Sequence, residues 1–186
     1  PGASTYTAFV TANRPAKDGS GNDIPGTGRA PMLYVGANDG MMHMIDASTG
    51  AEKMSFLPAS AMRSATEPTK LFDTTQETYL GINHRYFVDG ASTAGDIYDG
   101  SSWKTFLVGA LGVGGKSVYA LDITNPLGFS TTSVKWEYTD AELGYTYGKP
   151  LIGRLGDDKY YAIFANGLDS ASGKAGVFLV ISIGSS

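Results

Sequence analysis

Three times along this chain an apolar strand enters a glycine-containing turn, and a second apolar strand follows. That recurrence limits the folds open to it. The first unit is Leu33-Tyr34-Val35-Gly36-Ala37-Asn38-Asp39-Gly40, then Met41-Met42-His43-Met44-Ile45-Asp46 and the turn Ala47-Ser48-Thr49-Gly50. The second is Phe106-Leu107-Val108-Gly109-Ala110, a glycine-rich turn through Gly115, then Ser117-Val118-Tyr119-Ala120-Leu121-Asp122. A looser third is Tyr161-Ala162-Ile163-Phe164-Ala165-Asn166-Gly167, then Gly176-Val177-Phe178-Leu179-Val180-Ile181. Repeated strand–turn–strand units are how propeller blades look in sequence. Three blades do not close a ring, so the expectation is an all-β, partial propeller of about three blades belonging to a larger one.

Composition agrees. The chain has 186 residues, enough for one domain with a real core. Its 25 glycines are about twice the usual share, and charged residues, at 17%, fall below the usual figure. With 11 tyrosines, this suits a turn-rich β protein and not a helical bundle. The net charge is -4 and no Lys/Arg cluster occurs, so nucleic-acid binding has no electrostatic footprint. The absence of cysteine excludes disulfides, thiol nucleophiles and Cys-ligated zinc. No stretch reaches the ~18 apolar residues of a membrane span. The start at Pro1, without initiator Met or signal peptide, reads as a processed form or an excised piece.

Along the chain, residues 1–30 read as an N-terminal strand, Tyr6–Thr11, followed by a Gly/Pro/Asn-rich loop from Asn13 to Arg29. Residues 31–183 read as blades. Within them a third strand is expected around Lys53–Leu57, and 59–102 reads as an insertion on a blade edge, facing a partner. Pro58 and Pro68 limit any helix in Ala59–Leu71 to a turn or two. Arg85–Val88 reads as a short strand stopped at Asp89-Gly90. Val134–Tyr138 closes the second unit, with Trp136 an apolar anchor between blades. The almost wholly apolar run Ser117–Ile123 suits a strand buried on both faces.

Candidate chemistry is sparse. Asp18, Ser20 and Asn22 alternate like the start of a calcium loop. However, the sixth and twelfth positions hold Asp23 and Arg29 where an EF-hand has Gly and Glu, so a solvated turn is the competing reading. His43 and His84 lie in separate units without a neighbouring carboxylate at metal-ligand spacing, so His43 reads as a packed or rim residue. Asp46 and Asp122 end equivalent strands, where a carboxylate accepts backbone N–H bonds in an Asx-type turn. Gly112, Gly114 and Gly115 precede a strand and not a helix, which favours a tight connection over an anion cradle. Met41, Met42, Met44 and Met54 read as packing residues, with an exposed Met pair at a partner surface as the alternative. No catalytic or cofactor-binding residue is assigned.

The first unit resembles the repeats of quinoprotein-type propellers. The ordered blocks His84–Gly90, Trp103–Gly109, Gly112–Lys116, Ala120–Thr124 with Pro126, Leu143–Tyr145, Pro150–Ile152 and Ile163–Gly167 are more specific. Together they resemble the C-terminal propeller domain of the PilY1/PilC type IV pilus tip-associated adhesins, over roughly residues 31–183. The resemblance implies an extracellular or outer-membrane, pilus-associated protein. Such a protein supports pilus extension, opposes retraction, and contributes to adhesion and twitching motility without catalysis. The partners it implies are minor pilins at the pilus tip, a host-surface ligand, and neighbouring blades or a second copy. The family's calcium loop does not occur after the third unit, so calcium would belong to the missing part of the propeller. A quinoprotein dehydrogenase or an outer-membrane assembly scaffold is the alternative, supported by the first repeat alone.

Overall fold

The computed structural model describes residues 2–62 and 86–181. Its strands form three antiparallel meanders. The first contains β1 (Met32–Gly36), β2 (Met42–Asp46) and β3 (Glu52–Phe56). The second contains β4 (Ser92–Tyr98), β5 (Trp103–Ala110), β6 (Val118–Asp122) and β7 (Val134–Tyr138). The third contains β8 (Leu151–Arg154), β9 (Tyr160–Ala165) and β10 (Val177–Ile181). In every sheet, chain neighbours are spatial neighbours, which is the blade arrangement the repeats predict.

The second sheet is packed on both faces. Because side chains alternate along a strand, β5 sends Phe106, Val108 and Ala110 into a cluster with Ile97, Val118, Ala120, Ala162 and Phe164. Its Leu107 joins Met42, Met44, Phe56, Tyr119 and Leu121 in a second cluster, toward the first sheet. Val118 to Leu121 are all buried, as the apolar run predicts. Trp136 packs against the first of these clusters, in the anchoring place expected of it. A Cβ on Gly109 would collide with the Tyr119 ring across the ladder, so glycine there admits the tyrosine.

Aspartates punctuate the hairpins. Asp46 Oδ1 accepts the Ser48 and Thr49 N–H groups at 2.9 and 3.2 Å, and Asp122 Oδ1 accepts Thr124 N–H at 3.0 Å. Asp99, Asp140 and Asp157 do the same two residues ahead of Ser101, Glu142 and Lys159. Burial works against the Asp99 charge. The Ser102 and Ser101 N–H groups, the Ser101 hydroxyl and Lys104 outweigh it and bring the carboxyl down to about 2.

Two expected strands are corrected. Tyr6–Thr11 lies in a helix, α1 (Ala3–Asn13), with the Tyr6 ring packed on Trp103. Tyr86–Val88, the described part of Arg85–Val88, is irregular. Phe87 and Val88 are plugs over the glycine turn and Gly36, and the strand of that region is β4, inside the segment read as an insertion. β4 is the first strand of its blade and lies beside β8, where the Thr93 hydroxyl donates to the Pro150 carbonyl. The Ala59–Ala61 turn is tied to β7, its Ala59 N–H donating to Glu137 at 2.9 Å.

Candidate functional site

Exposed apolar side chains stand on the outward faces of the first and third sheets. Met32 and Tyr34 turn inward to the core, which leaves Leu33 and Val35 exposed on β1. On the third sheet Leu151, Val177 and Leu179 are exposed, Leu151 and Leu179 both pairing with Ile163. The second sheet lies between the first and third and is packed on both faces.

On the outward face of the first sheet stands His43. Its Nδ1 lies 2.7 Å from Glu52 on β3, and its Nε2 lies 2.8 Å from Asp39 in the β1–β2 turn. A carboxylate only accepts, so the ring satisfies both partners when it is protonated and each nitrogen donates. The Glu52 bond chiefly raises its pKa. Burial opposes that rise and Asp39 adds to it. Sequence reading missed both partners. Asp39 is four residues away along the chain, but Glu52 arrives only through the β2–β3 register and its bulge. Because the folded pKa is raised, the clamp contributes fully below the ordinary histidine value of about 6.5 and is lost as pH rises through the raised value. We expect stability to fall over that window and the fall to vanish in His43→Gln. NMR titration of the ring checks it, and a His43 pKa at or below the ordinary value would contradict it.

The calcium candidates do come together, but as a closed turn. Asp18 Oδ1 accepts Ser20 N–H and Asn22 N–H, each at 2.8 Å, and Oδ2 faces the Asn22 amide at 3.3 Å. The Asn22 backbone bond chiefly holds the Asp18 carboxyl below its usual range. The carboxylate oxygens are directed into their own loop, Asp23 pairs with Lys17, and the residues do not fit a calcium loop. Among the described residues no group of three or more His, Asp or Glu side chains could hold a metal. His84 lies outside the described residues. Gly112–Gly114 forms a single 3-10 turn packed against Phe87 and Gly90. Met42 and Met44 are core, whereas Met54 is exposed.

A third constellation lies at the rim, where α1 meets the β4–β5 turn. The Tyr6 and Trp103 rings are 4.5 Å apart, and Tyr98 and Tyr160 stand edge-on to Trp103 at 5.7 and 6.2 Å. The Tyr6 hydroxyl donates to Asp96 Oδ2 at 2.9 Å, a bond that chiefly raises the Tyr6 pKa. Asp96 Oδ1 accepts from the Thr105 hydroxyl at 2.7 Å, which in turn accepts from Arg29 at 2.5 Å. Trp103 Nε1 donates to the Thr5 hydroxyl at 3.2 Å. No local pattern could have paired residues so distant in sequence.

The model of the PilY1 β-propeller domain family matches residues 2–183. A type IV pilus biogenesis factor PilY1 homolog of Xylella fastidiosa is 39% identical over 178 residues, 94% of this chain and 13% of the relative. Type IV pilus biogenesis factor PilY1 of Pseudomonas aeruginosa (strain UCBPP-PA14) is 37% identical over 155 residues, 82% of this chain and 13% of the relative. The crystal structure of the Pseudomonas aeruginosa PilY1 C-terminal domain superposes with a TM-score of 0.63 at 32% identity. The match covers 84% of this chain and 28% of that one.

Proposed function

Because this chain belongs to the PilY1 β-propeller family, we propose that it is a non-enzymatic module of type IV pilus biogenesis, acting at the cell surface by contact. The observation that carries the reading is the family match over nearly the whole chain, joined to three antiparallel meanders of propeller-blade type. In this reading the module is associated with the pilus tip through minor pilins, promotes extension over retraction, and contributes to adhesion and twitching. Deleting the gene should abolish surface pili and twitching, and restoring it should recover both. Normal piliation in the deletion strain would overturn the reading.

The end faces complete the picture. Leu33 and Val35 at one end, and Leu151, Val177 and Leu179 at the other, suit neighbouring blades of the same polypeptide. The chain spans about an eighth of the two relatives' length and 28% of the matched C-terminal-domain structure. Produced by itself, the 186-residue chain should self-associate, and Leu33→Lys with Leu179→Lys should shift it toward monomer in light scattering. A clean monomer of the unaltered chain would show that these faces need no cover.

A further inference from the structure

We propose that Trp103 and Asp96 form a saccharide-binding site that α1 covers, with the ring of Tyr6 standing where a pyranose would stack. The proposal deepens the adhesive part of the reading above and rests on it only for its biological use. Three contacts made by α1 are the ones a sugar would make. A six-membered ring sits 4.5 Å from the indole, tilted at 49° to it, a hydroxyl donates to a carboxylate, and a second hydroxyl accepts from the indole N–H. A pyranose offers an apolar C–H face with hydroxyls around its edge, which matches an aromatic plane bordered by an acceptor and a donor.

The groups beneath are held ready. Asp96 is oriented from behind, since Thr105 occupies Oδ1 and is itself held by Arg29, and Oδ2 is left pointing to the rim. Trp103 is braced by Tyr98, its cross-strand partner, and by Tyr160 of the third sheet. Removing α1 as far as Ala12 would therefore free an indole face, an N–H and a carboxylate oxygen together, and would leave the Asn13 carbonyl on the Arg29 N–H.

The cover itself is weakly helical. It has 11 residues, short of the ~12–15 at which an isolated helix becomes even marginal in water. Thr5, Thr7, Val10 and Thr11 are poor helix formers. Gly2 gives no side-chain cap, and no acidic residue occupies the first turn nor a basic one the last. Side-chain bonds at Thr5 and Tyr6 fasten it to the sheet, and these are the bonds a sugar would replace.

The test is saturation-transfer NMR with methyl pyranosides of galactose, glucose and mannose. The proteins are the unaltered chain, Tyr6→Ala, a deletion of residues 2–12 that keeps the Asn13 carbonyl on the Arg29 N–H, and Tyr6→Ala combined with Asp96→Asn. At least one pyranoside should bind Tyr6→Ala and the deletion at least tenfold more tightly than the unaltered chain, and the Asp96→Asn combination should lose that gain. No binding to Tyr6→Ala or to the deletion, equal binding by the unaltered chain, or binding kept in the combination would each overturn the site. A failed sugar test leaves piliation in the deletion strain as it was, so the two readings fail separately.

Discussion

Gly114→Ala should cost the fold at least about 3 kcal/mol, a large part of a domain's usual stability. A Cβ at Gly114 would fall on the carbonyl oxygen of Phe87, inside any allowed contact, and its other near neighbours are also Phe87 backbone atoms. Backbone cannot swing aside as a side-chain tip can. Phe87 is itself fully buried, so the clash would have to push a core residue out of place. Gly156→Ala is the control: nothing lies within 4 Å of the added atom, and its stability should stay within about 0.5 kcal/mol of the unaltered chain. Thermal unfolding of the two variants checks the pair. A Gly114→Ala chain melting with the unaltered one would mean that Phe87 does not seal this turn.

Phe106→Ala should cost about 3–5 kcal/mol. Phe106 projects from the middle sheet into the cluster with Ala162 and Phe164, so its removal would open a void between two blades, not at one surface. In the Leu179→Lys background at a concentration where the chain is monomeric, Leu33→Ala, on the outward face of the first sheet, removes a side chain that is already 53% exposed and should change the unfolding free energy by no more than about 0.5 kcal/mol. Denaturant titration of both variants tests the layering. Equal losses would put Leu33 under cover or Phe106 outside the core.

Most strands were legible because their signal is local. β1, β2, β5, β6, β7, β9 and β10 carry apolar side chains on at least one face, and β1, β2 and β6 end at Gly36, Asp46 and Asp122, so pattern and turn chemistry agree there. β4 was not legible. Ser92-Thr93-Ala94-Gly95-Asp96-Ile97-Tyr98 buries Ile97 alone, and Gly95 is small because Ile152 of the next blade lies against it. Phe87 and Val88 misled in the opposite sense, since two buried apolar residues in a row can be plugs in a loop. α1 was missed because its alternation suits a strand and its anchor, Trp103, lies far along the chain. Of the site chemistry, the Asx role of Asp46 and Asp122 follows from their place before a turn. The His43 clamp and the Tyr6–Trp103–Asp96 cluster needed register and tertiary packing.

The measurement that tests the central claim most directly is mass spectrometry of filaments sheared from the native cell surface. Peptides of this chain should co-purify with pilins and be lost from the sheared fraction of a strain without pili. Peptides confined to the periplasm, away from pilins, would contradict a role in the type IV pilus.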